Sequence, residues 1–177
     1  MDLNVKFTFD ENTYRHYMNG FLTVLHCHHY LCLTTKMAEE FKELGGIKIL
    51  CESAEDSIRP ILDDYFAKNG VVSIEEKFNV GTQYYSVMGM GKMKIKANQT
   101  GGSVLLPRSH LDQGWIKKWG KNETPVNYFT CGFIAAIFSA AFGRPSRTYE
   151  VTETEGIVQG FPASQFMVKS LLGGTGL

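Results

Sequence analysis

From Phe129 to Phe142 the apolar residues recur at helical spacing. Phe129, Gly132, Phe133, Ala136, Ile137, Ala140 and Ala141 share one side, and Gly143 followed by Pro145 supplies a stop. Its alanines and glycine make this helix slim enough for another backbone to approach closely. The pattern therefore predicts a core helix packed on a sheet rather than a surface helix. Residues 148–158 and 164–168 carry the β-branched and aromatic side chains of two strands, joined across Gly160 and Pro162. Upstream, residues 14–44 read as one long helix with Met18, Phe21, Leu22, Leu25, His29 and Cys32 on one stripe and Gly45-Gly46 as its end. Residues 55–68 read as a second helix with Pro60 in or near its first turn. Strands are predicted at 83–88, 92–97 and 103–106. In the middle one Met93, Ile95 and Ala97 alternate with Lys92, Lys94 and Lys96, as in a half-buried strand with one wet face.

Helix, helix, strands, helix, hairpin is an α+β order: an antiparallel sheet with helices packed on one side. There are no repeats and no linker that would divide two units. The expectation is one domain over residues 1–177, with a helical half at 14–69, strands at 81–106 and the core helix with its hairpin at 126–170. With 177 residues, 44% of them hydrophobic, the chain is long enough for one well-buried core. Its 18 basic and 18 acidic residues cancel, which gives no electrostatic case for nucleic acid or an anionic membrane. Four cysteines do not make a disulfide framework at this length, and the first residues are no signal peptide, so a reducing cytoplasm is the expected location. The longest apolar run, 126–142, is broken by Asn127 and Thr130 and falls short of a membrane span.

Chemistry concentrates first in His26-Cys27-His28-His29 with Cys32 one turn on. On a helix His28, His29 and Cys32 can face a common point, and imidazole and thiolate are good ligands for zinc, copper or haem iron. The plainer reading makes His29 and Cys32 satisfied core residues, because a ligand set on one helix must be completed from elsewhere, with His110 the only distant histidine below it. The acidic pairs Asp63-Asp64 and Glu75-Glu76 sit in polar surroundings and read as solvated faces. No Walker lysine motif or nucleophile elbow is present.

The segment from Cys131 through Gly143-Arg144-Pro145 to Glu153, Gly156, Gly160 and Phe166 resembles the C-terminal half of the 4-vinyl-reductase-type, or hydrocarbon-binding, domain. The resemblance implies a small ligand-binding module with the α+β fold of the TRAPP vesicle-tethering subunits and the haem-type nitric oxide sensors. Its relatives include phenol-sensing domains of transcription activators, and relatives are usually dimeric. A zinc site in that family uses a Cys on the long helix and a Glu-x-x-Cys and further Cys on the hairpin. Cys131 and Glu153 stand at the first two of those positions, but Gly156 and Ser164 replace the cysteines. Two remaining ligands would hold zinc poorly, so no cofactor is expected.

By the same resemblance, the stretch from His110 to Trp119 corresponds to residues that orient a ligand hydroxyl, which makes His110 and Trp115 pocket residues. Tryptophan is a broad apolar wall with one donor and suits an aromatic ligand. Capping of the core by Trp115 and Trp119 at helical spacing is the plainer alternative. Tyr84 and Tyr85, if on a strand, would point one inward and one outward. The expected function is binding of a small hydrophobic or aromatic molecule, as sensor or carrier and without turnover, by a homodimer. The ligand-binding candidates are His29, His110, Trp115, Trp119 and Phe133. A metal- or haem-dependent protein using His28, His29 and Cys32 is one alternative. A scaffold whose core is plugged by its own side chains is another.

Overall fold

The computed structural model describes residues 2–24 and 27–172, the side chain of His28 excepted. The chain opens with a small antiparallel meander of β1 (Phe7–Asp10), β2 (Arg15–Met18) and β3 (Phe21–Thr23). This overturns the single helix expected over 14–44. The apolar spacing is real, but Asn19 and Gly20 take positive φ values of 51° and 86° and close a two-residue hairpin in which Met18 faces Phe21. Asn-Gly favours that turn strongly. Only α1 (His28–Glu40) stays helical, followed by a 3₁₀ turn at Lys42–Leu44.

Helix α2 (Gly46–Asn69) starts earlier than expected, so Pro60 lies in mid-helix instead of the first turn. Its ring sits on an exposed face, and the carbonyl of Asp56 forgoes its usual amide donor. Helix α3 (Ile74–Val87) replaces the strand expected at 83–88. Ser73 caps it by accepting a hydrogen bond from the Glu76 amide at 3.2 Å, a Ser-x-x-Glu start that outweighs the aromatic pair downstream. Tyr84 and Tyr85 are consequently both buried, rather than one inside and one outside. Asn19 Nδ2 donates to the Tyr84 hydroxyl at 2.7 Å, while the Tyr85 hydroxyl lies 2.9 Å from Thr130 Oγ1.

The main sheet is antiparallel, in the order β4-β5-β7-β6. Its strands are β4 (Gly91–Asn98), β5 (Gly101–Ser109), β6 (Tyr149–Glu155) and β7 (Ser164–Ser170). As the alternation predicts, Met93 and Ile95 turn inward and Lys92, Lys94 and Lys96 outward. Between β5 and β6 run α4 (His110–Trp119) and α5 (Tyr128–Ala141). Every residue of α5 from Thr130 to Ala141 is buried, between α2 and α3 on one side and the sheet on the other. The slimness read from the sequence shows at Gly132, where an added Cβ would sit 2.0 Å from the Cys51 carbonyl oxygen and 2.8 Å from Ala54 Cβ. Phe78, Phe138, Phe142 and Tyr149 form an edge-on and tilted aromatic cluster at the other end of α5. The protein is thus α+β, an antiparallel sheet with helices packed on one side. Among the described residues no helix is long and apolar enough to cross a membrane.

Candidate functional site

Helices α2 and α5 pack together, with their backbones in close approach at Gly132. A cleft of about 440 Å³ opens between them and β6. Its apolar part is lined by Cys51, Cys131, Gly132, Ala135, Tyr149 and Val151, and Lys48, Glu52, Glu55, Arg147 and Glu150 bring charge to the same cleft. Small residues on the helices and alternate inward residues of β6 leave the space unfilled. The Cys51 thiol donates to the Tyr128 carbonyl at 3.1 Å. Burial pushes the Cys51 thiol up to about 11 and Cys131 well above its ordinary value, so both stay protonated and neither is a nucleophile at neutral pH.

At the mouth, Arg147 holds the loop before β6 against α2. Its guanidinium reaches Glu55 at 2.8 Å and Asp56 at 2.7 Å, and its backbone amide donates to Glu55 at 3.0 Å. Glu55 also accepts from the Ser139 hydroxyl at 3.0 Å, which satisfies a carboxylate only 3% exposed.

Further along the inward face of β6 lies a polar knot. Asn127, the residue before α5, donates through Nδ2 to Glu153 at 2.6 Å and to Asp112 at 2.7 Å, and its backbone amide donates to Glu153 at 2.9 Å. Its side-chain oxygen accepts from the Ser109 hydroxyl at 3.0 Å. Asp112 accepts in addition from the Val158 amide and the Ser164 hydroxyl. One amide side chain thereby ties α4, α5, β6 and β7 together. Sequence reading did not find Asn127, Asp112 or Ser109, since polar residues in loops and first turns carry no sign of burial. The Ser109 to Asp112 cap was the one readable clue.

The donors to these carboxylates are amides and a hydroxyl, not cations, so burial dominates and pushes Glu153 up to about 7, with the Asp112 charge adding to it. The folded state then holds a proton that the unfolded chain gives up. Stability should fall as pH rises from about 4.5 to about 7 and level off above. We expect a loss of about 2 kcal/mol across that window, less than the shift alone would give because the side chain keeps some solvent contact. Urea midpoints at pH 5 and pH 8 measure it. Glu153→Gln should flatten the difference, and an unchanged difference in that variant would assign it elsewhere.

The candidates named from sequence are scattered over three places. Phe133 is fully buried in α5, edge-on to Tyr85 at 5.1 Å. Trp115 is buried in α4 and packs at a tilt of 58° against Trp119, which is 37% exposed, with ring centroids 4.7 Å apart, so the helical spacing of the pair is real. Lys36 of α1 covers the Trp115 ring. His110 begins α4 and its amide donates to the Met90 carbonyl at 2.9 Å. His29 is exposed near the start of α1, its Nδ1 3.7 Å from Cys27 Sγ. Cys32 is buried and its thiol points to the Leu111 carbonyl at 3.6 Å. His26 and the His28 side chain lie outside the described residues. Among the described residues no three His, Cys, Asp or Glu side chains converge to hold a metal ion. The four positions that correspond to the family's zinc site do not fit zinc either. Glu153 is bound to Asn127, Gly156 has no side chain, and the Ser164 hydroxyl is committed to Asp112, which leaves Cys131 without companion ligands.

Neither a protein-family model nor a curated protein sequence matches the chain. Solved structures do. The phenol-responsive sensory domain of the transcription activator PoxR, solved with phenol, is similar with a TM-score of 0.75 at 16% identity, over 93% of this chain and 84% of that one. A trafficking protein particle complex subunit 3 from Naegleria fowleri, covalently bound to palmitic acid, gives 0.54 at 13% identity, over 81% and 94%. A vinyl-4-reductase family protein from Methanocaldococcus jannaschii gives 0.51 at 17% identity, over 84% and 98%. The chain has the α+β fold that these three proteins share, and the resemblance drawn from its C-terminal half holds at that level.

Proposed function

We propose that this protein binds a small hydrophobic or aromatic molecule without turning it over, as a sensor or carrier, in the cleft between α2, α5 and β6. The observation that carries the reading is the lining. Two protonated thiols, a glycine, an alanine, a tyrosine and a valine make its apolar part, beside the charged Lys48, Glu52, Glu55, Arg147 and Glu150, and neither thiol is an activated nucleophile. Similarity in fold to a sensory domain solved with phenol supports an aromatic ligand. The ligand is held against α5, so its occupancy would bias the packing of the helix that carries the core, which is how a binding event reaches a partner. We place the protein in a reducing cytoplasm, in keeping with its four free cysteines. We also take it to be a homodimer, because Leu33, Met37, Phe41, Leu44 and Ile49 form a continuous exposed apolar stripe along α1 and the start of α2.

A native mass spectrum beside the denatured mass tests both points, since it weighs any retained molecule and counts subunits. Titration calorimetry with phenol and 1-naphthol follows. Val151→Trp, which fills the cleft from β6, should weaken binding about tenfold or more while leaving the fold intact. Equal affinity in the filled variant, or no retained mass and no heat with either compound, would sink the reading.

A further inference from the structure

Among the described residues strand β4 is an edge of the main sheet, hydrogen-bonded to β5 alone, so one row of its amides and carbonyls faces outward. Beside that edge, on the helix side of the sheet, α3 and β4 enclose a groove of about 530 Å³. Its apolar lining is Ile74 and Phe78 from α3 and Met93, Ile95 and Ala97 from β4. The floor is rigid, since Phe78 is wedged against Phe138 and Phe142 at 5.0 and 5.5 Å. On the opposite face Lys92, Lys94 and Lys96 stand in a row, with Arg108 of β5 directly across from Lys92. Among the described residues none of these four cations forms an ion pair, and β4 and β5 contain no acidic residue. In a chain of zero formal charge this is a local excess of positive charge on one strand edge.

From this arrangement we infer that β4 is a docking edge for an extended segment of another protein, in which apolar residues alternate with acidic ones. Added as a fifth strand, such a segment would pair its backbone with β4. Its apolar side chains would drop into the groove over Phe78 and Ile95, and its carboxylates would lie over the lysine row. Period-two alternation makes the two demands compatible, because the groove and the lysines are on opposite faces of the same strand. A second copy of this chain is the wrong occupant. Edge-to-edge pairing of two β4 strands sets lysine against lysine, and the β6 edge of another copy offers the lysine row one carboxylate, Glu150, with Thr152 and Thr154 at its other outward positions. The lysines therefore exclude self-pairing and select an acidic partner at once.

The test uses the whole protein and a fluorescein-labelled peptide of four valine–glutamate repeats, followed by anisotropy. Saturable binding is expected, weakened by salt. A peptide of valine–lysine repeats should bind at least about tenfold more weakly, and the variant Lys92→Glu, Lys94→Glu, Lys96→Glu should reverse that preference. These substitutions are on a solvent face, and an unchanged melting temperature checks the fold. N-methylation of alternate peptide amides, with one register blocking the edge and the other sparing it, should abolish binding in one register only. Absence of saturable binding, equal binding of both peptides, or indifference to N-methylation in both registers would each overturn the inference. So would binding to phosphatidylserine-containing vesicles in place of the peptide, which would make the lysine row a membrane contact.

Discussion

Asn127→Ala should be the most damaging single substitution in the protein, costing about 3–5 kcal/mol and lowering the melting temperature by about 10–15 °C. The reason is arithmetic of partners. Asn127 spends both Nδ2 hydrogens on two carboxylates and its oxygen on Ser109, so alanine removes every side-chain bond in the middle of the knot. Asp112 would keep the Val158 amide and the Ser164 hydroxyl, and Glu153 the backbone amide of residue 127. Nothing would then stand between the two acids. The loss should be larger at pH 8 than at pH 5, because protonating Glu153 removes the repulsion that asparagine had screened. Calorimetry at the two pH values decides the matter. A drop of less than about 4 °C at both would mean that water replaces the amide and that the knot is a convenience rather than a keystone.

Gly132→Ala should come next, at about 3 kcal/mol, even though alanine is the better helix former by about 1 kcal/mol. The new Cβ would meet a backbone carbonyl oxygen at 2.0 Å and another Cβ at 2.8 Å, and neither belongs to a side chain that can rotate away. Helices α2 and α5 would have to separate. Gly81 provides the internal control. An added Cβ there meets only side-chain atoms of Ile137, the nearest at 2.9 Å, so Gly81→Ala should cost roughly a third as much. Denaturant midpoints for the two variants, each compared with the parent, read the contrast. Equal costs would show that the α2–α5 contact yields as easily as a rotamer does. Separation at Gly132 should also widen the cleft, so a Gly132→Ala protein that remains folded should bind a bulkier aromatic relative to phenol than the parent does.

How far the chain can be read without a structure depends on whether its signals are local. The core helix was legible because Gly132, Ala136 and Ala140 recur on one side and Gly143 with Pro145 closes it. The lysine alternation gave β4, and the Gly160 and Pro162 punctuation gave the last hairpin. The meander was lost because Met18, Phe21, Leu22 and Leu25 mimic a helical stripe. The Asn19-Gly20 dipeptide between them outranks that spacing, since only a few residues tolerate positive φ. At α3 the β-propensity of Tyr84 and Tyr85 points to a strand, and the Ser73 and Glu76 start signal overrides it. The site was harder still. Cys51, Cys131 and Val151 come from three elements, and Asn127, Asp112 and Glu153 are polar residues whose burial is set by what packs over them. Fold-family resemblance singled out Cys131 and Glu153 as what remains of a zinc site, and with Gly156 and Ser164 at the other two positions it gave no reason to expect a metal.

The order of strands in the main sheet has a further meaning for the chain as it is made. Strand β7, the last of the described strands, lies between β5 and β6. Until it inserts, β6 has no neighbour to bond to, β5 has an open side, and the sheet cannot close over α5. A nascent chain therefore reaches the stage where its most apolar helix is complete well before the strand that seals it exists. Final insertion is a long-range step, β7 joining β5 from some sixty residues away. In the interval before it, the unfinished chain leaves the apolar face of α5 and the open side of β5 uncovered, which is the kind of surface through which incomplete chains aggregate.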